Sequence, residues 1–132
     1  MTGPAAMKIE RLDHLVLTVR DIDATIEFYA RALGMEAVTF GAGRRALAFG
    51  RQKINLHPAA APFGRHALHP TPGSGDLCFI AAEPIEDVVA HLSRVGVAIE
   101  DGPATRTGAL GPITSVYFRD PDQNLIEVSR YD

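Results

Sequence analysis

The fold is decided by one stretch near the C-terminus, Ser-Val-Tyr-Phe-Arg-Asp-Pro-Asp-Gln-Asn-Leu-Ile-Glu-Val-Ser at residues 115–129. Its Asp-Pro-Asp centre, residues 120–122, presets a tight turn that we interpret as structural, and β-branched and aromatic residues flank it. The stretch therefore predicts two antiparallel strands. Strand alternation sends Glu127 to the face opposite Ile126 and Val128. Because a carboxylate in mid-strand needs water or a partner, Glu127 is the first candidate for a functional residue.

Composition predicts one globular domain. The chain has 132 residues, of which 46% are hydrophobic and 22% charged, and this length suits a single domain with a sizeable core. The net charge is −3 and the longest basic run is Arg44-Arg45, so we expect neither a nucleic acid nor a membrane as a partner. Residues 1–10 lack the features of a signal peptide and predict a flexible leader. The single cysteine, Cys78, is interpreted as a buried structural thiol and indicates a cytoplasmic protein.

The order of predicted elements repeats. A strand, an amphipathic helix closed by glycine and three further strands occur in residues 11–57 and again in residues 76–130, and 20 positions separate both His14 from Gly34 and Asp76 from Gly96. The second copy is predicted to contain strands at Asp76–Ala82, Val97–Glu100, Ile113–Arg119 and Leu125–Ser129, with an insertion at Gly102–Pro112. The sequence thus predicts an α+β fold of two tandem βαβββ modules within one domain at residues 11–132.

Residues 58–75 are dense in proline and glycine, which is typical of a linker or a lid. If the sheets of the two modules curl into a cup with the helices outside, the opposite side of each sheet lines a concave groove. We call that side the inner face of the sheet. Four equivalent positions are expected on the two inner faces: His14, Asn55, Asp76 and Glu127.

Several motifs carry a resemblance to a known family. They are Leu-Asp-His-Leu-Val-Leu-Thr-Val at 12–19, Phe-Tyr-Ala-Arg-Ala-Leu-Gly-Met at 28–35, Lys-Ile-Asn-Leu-His at 53–57, and Phe-Arg-Asp-Pro-Asp at 118–122 followed by Leu-Ile-Glu-Val at 125–128. With them the chain resembles the vicinal oxygen chelate superfamily of glyoxalase I, extradiol dioxygenases, fosfomycin-resistance thiol transferases and bleomycin-binding proteins. It is most similar to the lactoylglutathione-lyase-like glyoxalase-domain members. The resemblance implies a homodimer.

The resemblance also implies a divalent metal in the groove. His14 and Glu127 match family ligand positions and residue types, whereas Asp76 stands where histidine is more frequent, and Asn55 stands where glyoxalase I has glutamate or glutamine. Imidazole and carboxylate ligands suit Zn²⁺, Ni²⁺, Mn²⁺ or Fe²⁺. His57 follows Asn55 on the same face and is a further ligand candidate.

Each candidate also has a structural interpretation. His14 can be a hydrogen-bonded core residue, Asp76 a cap at the start of a strand, and His57 a pocket wall. His66, His69 and His91 are interpreted as solvated. Arg106 is a candidate clamp for a substrate carboxylate or a solvent-facing arginine, and Tyr117 either stacks on a ligand or packs.

Two functions follow from the resemblance. The first is a metal-dependent lyase, isomerase or transferase acting on a small oxygen-rich metabolite or a thiol adduct, with the metal stabilising an oxyanion. Asn55 cannot act as a general base, so a proton shuttle would use Glu127, the predicted catalytic residue, or Asp76. The alternative is a metal-free, drug-sequestering protein of the bleomycin-resistance kind.

Overall fold

The structure is a computed structural model that describes residue 3 and residues 6–132. A strand, a helix and three strands follow one another twice along the chain, which confirms the predicted α+β fold of two βαβββ modules. The predicted leader at residues 1–10 lies partly outside the described residues. The elements are β1 (His14–Val19), α1 (Ile22–Leu33), β2 (Glu36–Phe40), β3 (Arg44–Phe49), β4 (Gln52–Pro58), β5 (Asp76–Ile80), α2 (Ile85–Arg94), β6 (Asp101–Gly108), β7 (Gly111–Arg119) and β8 (Leu125–Tyr131).

Each module forms a four-stranded mixed sheet. The strand orders are β1-β4-β3-β2 and β5-β8-β7-β6, so each strand of the first sheet has an equivalent in the second. In each module the first strand pairs in parallel with the last, and the other pairs are antiparallel. The equivalence of the two sheets supports the duplication that the sequence repeat predicts.

Helix α1 is capped by Asp21 at its start and ends at Gly34, the glycine that the sequence predicts to close it. The Asp21 carboxylate accepts a hydrogen bond from the Ala24 N–H at 3.0 Å, as an N-cap residue does. Gly34 ends the helix at a φ of 67°, a left-handed conformation that glycine adopts without steric cost. The most buried residues of α1 recur at helical spacing; they are Thr25, Phe28, Tyr29 and Ala32.

The two modules share one hydrophobic core. The Phe28 ring of α1 lies 6.1 Å from the Phe118 ring of β7, and the Tyr29 hydroxyl donates to the Asp120 carboxylate at 2.6 Å. From α2, His91 Nε2 lies 3.0 Å from the Ala32 carbonyl oxygen, so His91 is half-buried and the prediction that it is solvated was wrong. Because the helix side of both sheets packs into this core, both inner faces point away from it.

Two predictions for the second module were wrong. Residues Val97–Glu100 form no strand, and the predicted insertion at Gly102–Pro112 instead makes most of the β6–β7 hairpin. The glycine and proline at 102 and 103 obscured the strand in the sequence. An edge strand such as β6 tolerates proline because one of its sides lacks a strand partner, and the pairing of β6 with β7 shifts register between Asp101 and Ala104.

The proline-rich segment 58–75 runs from β4 to β5 and is fastened at both ends. The Ala59 N–H donates to the Val19 carbonyl at 2.8 Å, and the Gly75 N–H donates to Asn124 Oδ1 at 2.6 Å. In between, the Phe63 ring lies edge-on to the His57 ring at 5.6 Å. The segment therefore covers part of the inner face of the first sheet. Among the described residues, neither α1 nor α2 is long and apolar enough to cross a membrane.

Candidate functional site

Glu127 lies in the middle of β8, where the second sheet brings polar side chains to its inner face. It stands opposite Cys78 of β5 on one side and Tyr117 of β7 on the other. The Ser129 hydroxyl donates to its carboxylate at 3.3 Å. The Glu127 side chain is half-buried, so it remains open to a ligand approaching this face.

Arg106 and Tyr117, both predicted to bind substrate, come together with Glu127. The Arg106 Nε–H donates to the Tyr117 hydroxyl at 3.1 Å, and the guanidinium lies 5.4 Å from the ring centre. Partial burial raises the pKa of Tyr117, the Arg106 hydrogen bond opposes this shift, and the Glu127 carboxylate adds to it. Tyr117 is therefore a protonated hydroxyl beside a carboxylate, able to donate a hydrogen bond.

Cys78 is exposed, so its interpretation as a buried thiol was wrong. Its sulfur lies 3.3 Å from the Ser129 hydroxyl. Loss of hydration around the sulfur raises the pKa of the thiol, the Ser129 hydrogen bond opposes that, and Glu127 raises it further. A thiol with a raised pKa is a weak nucleophile at neutral pH.

His14 starts β1 on the inner face of the first sheet. Its Nδ1 lies 2.8 Å from the Asp13 carboxylate, and its side chain is 44% exposed. The hydrogen bond with His14 is the main reason that the pKa of Asp13 is lowered. This pairing orients the imidazole and leaves Nε2 directed elsewhere, which is how metal-binding histidines are commonly held. Asp76, at the start of β5, is exposed.

Within one chain the predicted metal ligands stay on separate sheets. Among residue 3 and residues 6–132, no group of three or more His, Cys, Asp or Glu side chains is close enough to hold a metal ion. His14 and His57 belong to the first sheet, and Asp76 and Glu127 to the second.

The first sheet holds a second cluster of polar residues, of which the sequence predicted Asn55 and His57 but not Arg44. His57 is 1% exposed and Asn55 is 6% exposed. Arg44, which was not among the predicted site residues, lies with Nη2 3.3 Å from His57 Nε2. Burial first, and the nearby Arg44 second, lower the pKa of His57, so this imidazole is neutral at pH 7. Arg44 could have been identified from its position directly after the Gly41-Ala42-Gly43 turn. Across this turn it pairs with Phe40, and both residues lie on the inner face.

The family model for the glyoxalase/bleomycin resistance protein/dioxygenase superfamily matches residues 11–128. The chain belongs to this superfamily, as the motifs indicated. It is 58% identical over 125 residues to Virulence protein STM3117 of Salmonella typhimurium, covering 95% of this chain and 87% of that protein. The crystal structure of STM3117 matches with a TM-score of 0.94 and 57% identity, covering 96% of this chain and 100% of the other.

Two further matches are a glyoxalase domain-containing protein and a lactoylglutathione lyase. Glyoxalase domain-containing protein RDO1 of Mycosarcoma maydis is 54% identical over 125 residues, covering 95% of this chain and 70% of that protein. The crystal structure of lactoylglutathione lyase from Agrobacterium tumefaciens matches with a TM-score of 0.70 and 26% identity, covering 93% of this chain and 95% of the other.

Proposed function

We propose that the protein is a divalent-metal-dependent lyase, isomerase or transferase of the glyoxalase type, acting on a small oxygen-rich metabolite or a thiol adduct. The observation that carries the proposal is the placement of His14 and Glu127. Both lie on inner faces, both are accessible, and each is contacted by a neighbouring polar side chain that orients it. Membership of the glyoxalase superfamily supports this assignment.

The donor set fits a divalent metal. His14 offers Nε2, because Nδ1 is engaged by Asp13, and Glu127 and Asp76 offer carboxylate oxygens. One imidazole and two carboxylates suit Zn²⁺, Ni²⁺, Mn²⁺ or Fe²⁺. A metal bound by these residues would supply Lewis-acid stabilisation of an oxyanion. We do not include His57 among the proposed metal ligands, because its Nε2 already faces the Arg44 guanidinium.

The complete site, in this proposal, is built by two chains. The inner face of the first module in one chain meets the inner face of the second module in its partner. Val16 on β1 and Ile80 on β5 are 43% and 53% exposed and lie on these inner faces. Apolar side chains at such exposure favour burial against another surface, and a homodimer would cover them.

The protein's own side chains supply the proton transfer and the hydrogen bonding to the substrate. Glu127 is the proton-transferring carboxylate, since Asn55 is an amide and cannot accept a proton from carbon or oxygen. Tyr117, held by Arg106 at 3.1 Å, donates a hydrogen bond to a substrate oxygen. Because Asn55 stands where glyoxalase I has glutamate or glutamine, we do not expect glyoxalase I activity proper.

Metal analysis of gently purified protein tests the proposal. We expect bound Zn, Ni, Mn or Fe in the wild type, a loss of at least tenfold in metal affinity for His14→Ala and for Glu127→Gln, and no change for His66→Ala, whose side chain is exposed in segment 58–75. Metal content that is equal in all four proteins, or protein that binds none of these ions when they are added, would contradict it.

The alternative is a metal-free protein that sequesters a small molecule. The buried amide of Asn55, which stands where glyoxalase I has glutamate or glutamine, favours this alternative. Thermal-shift screening separates the two functions. A sequestering protein keeps its ligand-induced stabilisation in the presence of a chelator, whereas the metal-dependent enzyme loses it for ligands that bind through the metal.

A further inference from the structure

A cavity of about 520 Å³ opens between the last turn of α1 and helix α2. Residues 30–35, at the end of α1, line one side, and the face of α2 that carries His91 lines the other. This volume lies within the range of about 300–1,000 Å³ that is typical of small-molecule sites. His14, Asp76 and Glu127 do not line the cavity, so it is separate from the proposed metal site.

The walls of the cavity are mainly apolar. Phe49 at the end of β3 and Phe79 of β5 both line it, and their ring centres lie 5.4 Å apart with the ring planes nearly perpendicular. Met35 and Leu92 also line the cavity and are 6% and 1% exposed. Two aromatic rings from different modules, with buried aliphatic side chains beside them, offer a surface on which a third ring packs edge to face or offset.

One ring nitrogen of His91 is free to accept a hydrogen bond in this cavity. His91 Nε2 lies 3.0 Å from the Ala32 carbonyl oxygen. Because a carbonyl oxygen only accepts, Nε2 carries a proton, and Nδ1 of the neutral imidazole is then an acceptor. Among the described residues Nδ1 has no hydrogen-bond partner, and the atom is not buried. A ligand with an N–H group can therefore donate to it.

The charged side chains around the cavity favour a cation. Glu83 and Asp87 both line it, and neither forms an ion pair with any residue that the structure describes. Arg31 lines it too, but its Nε lies 2.7 Å from the Glu27 carboxylate, which neutralises its charge. Arg94 is two helical turns beyond Asp87, roughly 10 Å along the axis of α2, so screening by salt weakens its repulsion of a cation near Asp87.

We propose that this cavity binds a small organic cation, an ammonium group carried on an aromatic body. The ammonium group would donate to the Asp87 carboxylate and to His91 Nδ1, which lie one turn apart on the same face of α2. The aromatic body would pack against Phe49 and Phe79. The inference goes beyond the proposed function and is independent of it, because the cavity shares no residue with the proposed metal site.

Calorimetric titration in the presence of a chelator tests the cavity separately from the metal. The probes are phenethylammonium, phenethyl alcohol, which lacks the charge, and hydrocinnamate, whose charge is reversed. We expect saturable binding of phenethylammonium, at least tenfold weaker binding of phenethyl alcohol and no binding of hydrocinnamate. His14→Ala and Glu127→Gln should bind phenethylammonium as the wild type does, so a failed metal proposal and a failed cavity proposal give different results.

Variants locate the binding. Asp87→Asn should weaken phenethylammonium at least tenfold, whereas Glu86→Gln, which removes an equally exposed carboxylate from the same helical turn but outside the cavity, should bind it as the wild type does. Ala30→Phe places a ring at the mouth of the cavity and should abolish binding, and Ala90→Phe, at an exposed position of α2 outside the cavity, should not. Circular dichroism should show that all four variants are folded.

Three results would overturn the proposal. The first is no saturable binding of phenethylammonium to the wild type, the result expected if the cavity holds only water or is covered by another copy of the chain. The second is unchanged binding in Asp87→Asn or in Ala30→Phe. The third is tighter binding of hydrocinnamate than of phenethylammonium, which would assign the cavity to an anion.

Discussion

Asp120 is the residue that ties the two modules together. Its buried carboxylate accepts four hydrogen bonds: from the N–H groups of Asp122 and Asn124 at 2.9 Å each, from Asn124 Nδ2 at 2.8 Å, and from the Tyr29 hydroxyl at 2.6 Å. The first three hold the β7–β8 turn, and the fourth reaches helix α1 of the other module. Burial, and then the Asp120 charge, raise the pKa of Tyr29 far above its ordinary value, so its hydroxyl remains a donor.

Tyr29→Phe should lower the free energy of unfolding by about 1.5–3 kcal/mol, because it removes one donor from a buried carboxylate. Urea denaturation measures this loss. Tyr131→Phe is the control: its hydroxyl accepts from the exposed Leu110 N–H at 3.1 Å, and we expect a loss below about 1 kcal/mol. Equal losses in the two variants would show that the Tyr29–Asp120 hydrogen bond contributes no more to the free energy of unfolding than the exposed hydrogen bond of Tyr131.

Residues differ in how far the sequence could predict them. Glu127 and Asn55 were found because a polar residue between apolar neighbours in a strand marks the inner face. Arg44 was missed, because its role depends on the imidazole of His57 on the next strand and on the Phe63 ring. Phe63 itself lies in an irregular segment, where no periodicity indicates which way a side chain points.

Among the elements, segment 58–75, predicted to be a linker or a lid, packs closely against the β7–β8 turn. Gly73 near its end has a φ of +84°, and a Cβ built there would stand 2.6 Å from the Asp122 carbonyl oxygen. The segment is thereby pressed against the turn that Asp120 organises. The helices were predictable because their buried residues recur at helical spacing. Strand β6 was not predictable, because its pairing with β7 outweighs an unfavourable local sequence.

Gly73→Ala should therefore cost about 2–4 kcal/mol of unfolding free energy, through left-handed backbone strain together with steric overlap. Gly64→Ala is the matched control in the same segment: its φ is +44° but no atom lies within 4 Å of the added Cβ. We expect only the backbone part of the cost there, about 1–2 kcal/mol. Thermal or urea unfolding of both variants gives the comparison, and a Gly64→Ala loss as large as that of Gly73→Ala would refute the packing argument.

For the whole molecule, the shared core decides where a site can form. Because both sheets turn their helix sides to one core, the faces bearing His14 and Glu127 look outward, and the chain alone gathers no set of three ligands among its described residues. The sequence repeat predicted equivalent faces correctly. It could not predict their mutual orientation, since that depends on which surface each helix packs against.

A complementation experiment tests the two-chain site. His14→Ala and Glu127→Gln are each expected to lose metal binding, but unfolded together and refolded as a mixture they should regain about a quarter of the wild-type sites, because each mixed dimer has one site free of both changes. Metal content of the refolded mixture is the measurement. A mixture that binds no more metal than its separate components would place the whole site within one chain.

The shared core also restricts how the two halves of this gene can change. A duplicated unit is ordinarily released from constraint, since one copy can preserve the old role while the other drifts. Here Phe28 and Tyr29 of the first copy pack on Phe118 and Asp120 of the second. A substitution in either copy is therefore selected in the context of the other. Substitutions at these four positions should therefore occur in matched pairs between relatives. Neither half should persist as a separate gene unless other residues cover the core surface that the missing half would have covered.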